Sequence, residues 1–320
     1  MLLYVFSLAL SLFVLFWSAN RFVDGAVKVS LYYKMSPLFV GMVVIGFGTS
    51  APELFVSTIS SYLGQDSIAL GNAYGSNIVN IALILGLTAI IKPIRVLSSI
   101  LRKELLVLLL VTLISAYLLL DLQLSRVDST ILLTLFIFSM LYAIRTNNKK
   151  NEDSFSSETA TAIIHNQESI KVSLFKVVSG LIVLILSSRL FSWASVSMAK
   201  SLGVSDVVIG FTIVAIGTSL PELISSIVAA KKGESDLAFG NIIGSNLFNT
   251  LAVVSISGLI SPLNVSHEIL ERDVSVMCII TFILFVFGIG LRGEGKINRI
   301  EGAMLVLLYL GYSWYLVSSN

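Results

Sequence analysis

Two copies of a short polar motif stand inside long apolar segments of this sequence. The first, Gly46 to Leu54, reads G-F-G-T-S-A-P-E-L, and the second, Ala215 to Leu223, reads A-I-G-T-S-L-P-E-L. Each copy places one glutamate, Glu53 or Glu222, after a proline in an otherwise uncharged run. A carboxylate at membrane depth costs about 3 kcal/mol on insertion scales, so it needs a partner or a water-filled cavity. Two such carboxylates brought together would repel each other, and a bound cation is the remedy.

The residues around both glutamates are oxygen donors. Pro52 cannot donate a hydrogen bond to the carbonyl of Gly48, and Pro221 cannot donate to that of Gly217, so carbonyl oxygens near each motif are released. Hydroxyl groups and carbonyls would then complete an all-oxygen shell around the two carboxylates. Its further members are Thr49, Ser50, Thr218, Ser219 and the carbonyls around Gly46 and Ala215. Hard cations such as calcium or sodium prefer this donor set.

A second motif follows the first in each half. It reads G-N-A-Y-G-S-N-I-V-N from Gly71 and G-N-I-I-G-S-N-L-F-N from Gly240. A serine and an asparagine four residues apart share one helical face in each copy, namely Ser76 with Asn80 and Ser245 with Asn249. We expect these neutral donors to form the other wall of the cation site. The glycines at the first and fifth positions would let this helix approach the broken helix closely.

One constant offset relates all of these motifs. The 169 residues that separate Glu53 from Glu222 also separate Pro93 from Pro262, with no gap in between. The identical positions are polar, glycine or proline, whereas the apolar residues between them differ. Shared hydrophobicity therefore does not explain the repeat, and the sequence predicts a duplicated site.

The composition is that of an integral membrane protein. Of 320 residues, 56% are hydrophobic and 12% are charged, and the mean hydropathy is +0.93, far from the values of a soluble domain. The net charge of +2 indicates no nucleic-acid partner. With one cysteine and two histidines, neither a disulfide nor a Cys/His metal site is expected. The motifs offer no activated nucleophile or histidine set either, so we expect no enzyme and no organic cofactor.

Ten segments are apolar enough and long enough to cross about 30 Å of hydrocarbon. They are approximately residues 2–33, 37–63, 68–91, 100–120, 127–144, 172–201, 207–230, 237–260, 274–291 and 300–317. The constant offset superposes the first five on the last five. Because five is odd, the second half must enter the membrane from the opposite side. The predicted fold is all-α, with about ten transmembrane helices in two inverted five-helix repeats and breaks in the second and seventh helices.

This pattern divides the chain into three parts. Residues 1–145 form the first repeat and residues 170–320 the second, while residues 146–169 form a polar linker without apolar periodicity. Among the loops, one face has only Arg126, Lys200 and Arg272 as basic residues, and the other face has the rest. The basic face is expected to be cytoplasmic. We therefore expect a multi-pass protein of the inner (plasma) membrane, with a cytoplasmic linker and both termini outside.

At these residues the sequence resembles the calcium/cation antiporter superfamily, specifically the sodium/calcium exchanger family in its bacterial branch. The G-T-S-x-P-E and G-N-x-x-G-S-N-x-x-N motifs resemble the two alpha-repeats of that family. The resemblance implies that Glu53 and Glu222 are central calcium ligands that also contribute to sodium sites. It also implies further calcium or sodium ligands, which are Thr49, Ser50, Thr218, Ser219, Ser76, Ser245 and the carbonyls of Gly46 and Ala215. Sliding of the first and sixth helices across the rest would alternate access.

The sequence departs from some family members at one position. They carry an aspartate where this chain has Asn249, and Asn80 is neutral as well. Two carboxylates instead of three leave the number and kind of counter-ions open.

The expected function is secondary antiport of calcium against sodium or protons by alternating access, with calcium export. Its expected partners are membrane lipid, calcium and monovalent cations. An exchanger of potassium, magnesium or manganese on the same scaffold is an alternative. A cation channel is a weaker one, because two fixed carboxylates would hold calcium too tightly for rapid passage and inverted broken helices are typical of transporters. The sequence leaves the oligomeric state open.

Overall fold

A computed structural model of the chain describes residues 2–96, 99–150, 169–203, 215–289 and 295–318, with the side chains at 95–102, 146–150 and 215 excepted. The helices are α1 (Leu2–Tyr32), α2 (Pro37–Thr49), α3 (Ala51–Tyr62), α4 (Asp66–Ile91), α5 (Ser99–Leu118), α6 (Arg126–Lys150), α7 (Ile170–Ser201), α8 (Ala215–Thr218), α9 (Leu220–Lys232), α10 (Ser235–Ile260), α11 (Ile269–Ile289) and α12 (Arg299–Ser318). Four short strands are β1 (Ile94–Val96), β2 (Gln123–Leu124), β3 (Leu263–Asn264) and β4 (Gly295–Ile297). The prediction of a mainly helical membrane protein is confirmed.

Fewer than the ten predicted spans are identified among the described residues. Seven helices in the described part of the chain are long and apolar enough to cross a membrane, or eight if α2 and α3 form one span. The predicted fourth span is α5, in which the consecutive charges Arg102, Lys103 and Glu104 shorten the apolar stretch. The predicted seventh span corresponds to α8 and α9 together with residues 204–214, which lie outside the described residues.

Helix α6 extends into the predicted linker. Helix α6 continues from Arg126 to Lys150, so residues 146–150 belong to a helix. Polar residues can extend a helix by intrinsic propensity without any apolar period. Residues 151–168 are outside the described part of the chain, and α7 begins at Ile170, where the second repeat was predicted to begin.

Two helices are broken, at equivalent positions. Ser50 separates α2 from α3 with φ −83° and ψ 7°, and Ser219 separates α8 from α9 with φ −92° and ψ 11°. A proline stands in the first turn after each break, where its missing N–H is tolerated although it cannot continue the preceding helix. The axes of α2 and α3 differ by 45°. Pro52 and Pro221 thus produce the predicted breaks.

Helices α4 and α10, which carry the second motif, run in opposite directions. Asp66 at the start of α4 accepts hydrogen bonds from the backbone N–H (2.9 Å) and the side chain (3.0 Å) of Asn264, which lies beyond the end of α10. Lys92 after the end of α4 donates to the carbonyl of Lys231 (3.5 Å), which precedes the start of α10. These contacts place the two copies of the motif antiparallel to each other.

The short strands join the two halves of the chain. Strand β1 pairs antiparallel with β4, and β2 pairs antiparallel with β3. The segment after α4 therefore lies beside the segment before α12, and the segment after α10 lies beside the segment before α6. In both sheets, the strand that follows the motif helix of one half pairs with the strand that precedes the last helix of the other half.

Glycines allow α10 to pack directly on the backbone of α2. A Cβ atom at Gly240 would lie 2.5 Å from the carbonyl oxygen of Leu38, and one at Gly244 would overlap the carbonyl of Met42. The expected close approach is therefore observed for the second motif. At Gly71 and Gly75 no described atom lies within 4 Å of the position of a Cβ, so α4 makes no matching contact with the described residues.

Helices α1 and α7 form a closely packed pair. A Cβ atom at Gly25 would lie 2.8 Å from the carbonyl oxygen of Ser173, and one at Gly180 would lie 2.9 Å from the backbone of Phe22. At the end of α9, Lys232 forms an ion pair with Asp24 of α1. The α1–α7 pair thus packs on the helices that carry the motifs.

Replacing Gly244 should destabilise this packing. We expect Gly244→Ala to lower the stability by about 1–3 kcal/mol, because the new methyl group overlaps a backbone oxygen that cannot move independently of α2. The melting temperature of the purified protein in detergent measures the effect. Gly311→Ala in α12 is the control, since no described atom lies within 4 Å of a Cβ there. Equal melting temperatures of the two variants would contradict the packing.

The antiparallel arrangement of α4 and α10 predicts that the residues that precede the two helices lie on opposite sides of the membrane. Single cysteines at Gln65 and at Lys231, both exposed, should react with an impermeant thiol reagent from opposite sides of the membrane. The background is Cys278→Ser, which removes the native thiol. Labelling of both positions in intact cells would show that the two motif helices enter from the same side.

Candidate functional site

Glu53 and Glu222 lie in the first turns of α3 and α9, directly after the two breaks. They are 0% and 1% exposed, respectively. Each carboxylate is contacted by the serine of the opposite break. Ser50 donates its hydroxyl hydrogen to Oε1 of Glu222 (3.0 Å), and Ser219 donates to Oε1 of Glu53 (3.5 Å). The fold therefore brings the two halves of the predicted site together.

The second oxygen of each carboxylate is buried without a protein partner. Oε2 of Glu53 and Oε2 of Glu222 accept no hydrogen bond from the described residues. The same holds for the amide oxygens of Asn80 and Asn249. Burying a polar oxygen without a partner costs free energy, and burying a carboxylate costs more. Unpaired oxygens of this kind are suitable ligands for a hard cation.

No positive charge of the described chain compensates the glutamates. Ion pairs among the described residues include Lys232 with Asp24, His267 with Glu271 and Arg272 with Asp273, and none of these involves Glu53 or Glu222. Two carboxylates in a poorly hydrated interior repel each other more strongly than in water. In the described part of the chain, no group of three or more His, Cys, Asp or Glu side chains could hold a metal. The site therefore combines two carboxylates with neutral oxygens.

The carbonyl and amide oxygens around the first break already accept hydrogen bonds from the protein. The hydroxyl of Thr49 lies 3.0 Å from the carbonyl oxygen of Ile45, 3.3 Å from that of Gly46 and 3.3 Å from Oδ1 of Asn241. The carbonyl of Gly46, which we predicted to be released, also accepts from the backbone of Ser50 and from the hydroxyl of Ser245, both at 3.1 Å. A cation would have to displace some of these hydrogen bonds to use this carbonyl.

The predicted second wall is buried as well. Ser76, Asn80, Ser245 and Asn249 are all at most 5% exposed. The two asparagines lie in wide helical turns with i→i+5 hydrogen bonds, Val79–Leu85 and Asn249–Val253. Such turns occur frequently at functional sites.

The remaining predicted ligands lie in the short helix α8. Ala215 is its first residue, and Thr218 is its last, directly before the break at Ser219. The preceding residues 204–214 are outside the described part of the chain. Thr218 therefore lies beside the break, and Ala215 lies at the other end of α8.

Asn72 and Asn241 support the site, which the sequence did not indicate. Asn72 donates to the carbonyl of Glu53 (3.0 Å) and to the hydroxyl of Ser57 (2.8 Å). Asn241 donates to the carbonyl of Glu222 (3.2 Å) and, through Oδ1, accepts from Thr49. Both residues recur in the repeat, and this recurrence was the available signal. Their role became visible only from the packing of α4 on α3 and of α10 on α9.

Known proteins are similar to this chain in sequence and fold. The family model described as sodium/calcium exchanger protein matches residues 3–145 and again residues 172–318. The putative antiporter CaxA of Alkalimonas amylolytica is 39% identical over 96% of this chain and 97% of its own. The inner membrane protein YrbG of Escherichia coli is 37% identical over 88% of each chain. A solved structure of the sodium-calcium exchanger NCX_Mj superposes with a TM-score of 0.82 at 32% identity, over 97% of both chains.

The two glutamates should be required equally for cation binding. We expect Glu53→Gln and Glu222→Gln each to weaken calcium binding at least about tenfold, equivalent to about 1.4 kcal/mol, because each removes one of two charges. Calcium-dependent thermal stabilisation in detergent measures the binding. Glu271→Gln is the control, since that side chain is 77% exposed. If one of the two site variants binds calcium like the wild type, the carboxylates do not share a cation.

Proposed function

Because the chain belongs to the sodium/calcium exchanger family, we propose that it is a secondary active antiporter that exchanges calcium for sodium or protons. The observation that carries this proposal is the crossed pairing of Ser50 with Glu222 and of Ser219 with Glu53. This pairing encloses two carboxylates between the breaks of the two halves. The binding of a cation there supplies the positive charge that the described chain does not bring to the site.

The charge balance of the site supports exchange rather than cotransport. Two carboxylates are neutralised by one divalent cation or by two monovalent ions. Because both kinds of ion would use the same buried oxygens, they compete for one site. An empty site leaves like charges in a poorly hydrated interior, which is costly. Such a carrier therefore switches between its inward-open and outward-open states more readily with an ion bound than without one. If one kind of ion is bound in one direction and the other kind on the return, the result is antiport.

The donor set favours calcium as the divalent substrate. Calcium takes six to eight oxygen ligands in flexible geometry, whereas magnesium requires a near-ideal octahedron and retains several waters. In addition to Glu53 and Glu222, the proposed ligands are Thr49, Ser50, Thr218, Ser219, Ser76, Asn80, Ser245, Asn249 and the carbonyls of Gly46 and Ala215. They comprise carboxylates, hydroxyls, amides and carbonyls from both halves. Potassium or manganese remains the alternative substrate on the same scaffold.

We propose that residues 1–145 and 170–320 form inverted repeats of five helices each, joined by a cytoplasmic linker. The antiparallel course of α4 and α10 supports this arrangement, as do the exchanged strand pairs. The two separate matches to one family model also support it. In such a repeat the site lies between the halves, so that small movements expose it to either side.

The proposed location is the inner (plasma) membrane, with both termini outside. The distribution of basic residues in the loops supports this orientation, and the likeness to a protein named for the inner membrane supports the location. With the linker in the cytoplasm, an inward gradient of sodium or protons would drive calcium out of the cell.

Flux measurements test the function directly. Proteoliposomes loaded with sodium should accumulate calcium-45 when the external sodium is removed. If protons are the counter-ion, an outward proton gradient should drive the same accumulation. Glu53→Gln vesicles, prepared in parallel, should accumulate none. Parallel series with a potassium gradient, and with unlabelled manganese as competitor, identify the alternative substrates. Calcium entry that is rapid without any opposing gradient would indicate a channel, and no gradient-driven calcium entry at all would overturn the proposal.

A further inference from the structure

One serine of α7 donates its hydrogen bond to a different helix, whereas its neighbours donate within α7. Ser179, Ser187 and Ser192 donate their hydroxyl hydrogens to carbonyls of their own helix, at 2.6, 2.7 and 3.0 Å, as serines in helices commonly do. Ser188 instead donates to the carbonyl of Gly217 in α8, at 2.8 Å. Ser188 is buried. Its contact joins α7 to the second broken helix.

The carbonyl of Gly217 needs this external donor because of the proline that follows. In a continuous helix it would accept from the residue four positions later, but that residue is Pro221, which has no N–H. Ser188 supplies the missing hydrogen bond. A Cβ atom at Gly217 would overlap the hydroxyl of Ser192, so the glycine allows α7 and α8 to pack closely here. Thr218 and Ser219, two proposed ligands, come directly after this carbonyl.

The first half cannot make the same contact. Pro52 likewise cannot donate to the carbonyl of Gly48, and that carbonyl accepts a hydrogen bond from a backbone N–H at the break instead. The constant offset that relates the two halves places Ala19 of α1 at the position of Ser188, and alanine has no hydroxyl group. A Cβ atom at Gly48 would lie 2.9 Å from a methyl group of Leu181, which is an apolar contact. The two breaks are thus equivalent in sequence but not in their contacts with α1 and α7.

We propose that Ser188 is a positioning residue for the exchange reaction. Its hydroxyl holds the second break against α7 in the arrangement observed here, and Ala19 cannot hold the first break in the mirrored arrangement. The two access states therefore differ in energy, and the observed one is favoured. When α7 moves away from α8, the carbonyl of Gly217 loses its donor and becomes available to a cation. This inference rests on the proposed antiport.

The test compares calcium transport from the two sides of the membrane. An impermeant thiol reagent that reacts with a single introduced cysteine inactivates the protein molecules of one orientation in the proteoliposomes. The molecules of the other orientation then give the apparent KM for calcium on one side, and each side is measured in this way. Ser188→Ala should change the ratio of the two KM values about fivefold, the equivalent of about 1 kcal/mol for one hydrogen bond. Ser188→Thr, which keeps the hydroxyl, should restore the wild-type ratio. Ser187→Ala is the matched control, because Ser187 is equally buried but bonds within α7.

A second variant tests the same idea by adding a contact. Ala19→Ser offers the first break the hydroxyl that it lacks, and it should shift the KM ratio in the direction opposite to Ser188→Ala. The proposal is overturned if Ser188→Ala and Ala19→Ser both keep the ratio of the wild type. It is also overturned if Ser188→Ala changes both KM values equally, as a general loss of structure would. Absence of exchange in the wild type would instead disprove the proposed function.

Discussion

The repulsion between two buried carboxylates is the constraint on which the rest of this structure depends. Glu53 and Glu222 are fully enclosed, and each has one oxygen without a protein partner among the described residues. Stability alone does not explain such a pair, because replacing buried charged side chains with apolar ones often leaves the stability of a protein unchanged or raises it. The proposed function explains their presence together, since a cation would enter and leave this site. The fold has to tolerate the pair in the interval between two cations.

Several features of the chain reduce this cost without removing it. The serine of each break donates to the glutamate of the other half, so each carboxylate keeps one hydrogen bond when no ion is bound. Asn72 and Asn241 hold the backbone of the two glutamates. The breaks at Ser50 and Ser219 point helix beginnings, with their partly positive ends, toward the site. Glycines in α10 then bring its polar face against α2 at backbone distance. The site is thus held by contacts that cross between the halves.

The local part of this arrangement could be predicted from the sequence, and the part made by contacts between halves could not. Pro52 and Pro221 determine the breaks by covalent structure, so their positions were readable directly. The repeat likewise predicted that both glutamates belong to one site. The pairing of Ser50 with Glu222 depends on how distant segments meet, and so does the hydrogen bond from Ser245 to the carbonyl of Gly46. The end of α6 was misplaced for another reason, because a polar helix carries no apolar period.

The departures from symmetry are as informative as the symmetry. If the two halves were identical in their contacts, the states open to either side would have equal energy. Two polar contacts of the α1–α7 pair make the energies of the two states unequal, and the two contacts contribute different free energies. The ion pair of Asp24 with Lys232 has no counterpart, since Trp193 and Leu63 stand at the equivalent positions. However, its side chains are 52% and 28% exposed, and such surface pairs contribute about 0–1 kcal/mol, less at high salt. The bond from Ser188 to Gly217 is buried, and its loss would remove a hydroxyl donor from a carbonyl beside the site. That bond is therefore the stronger determinant of which side the carrier prefers to face, and it should act independently of ionic strength.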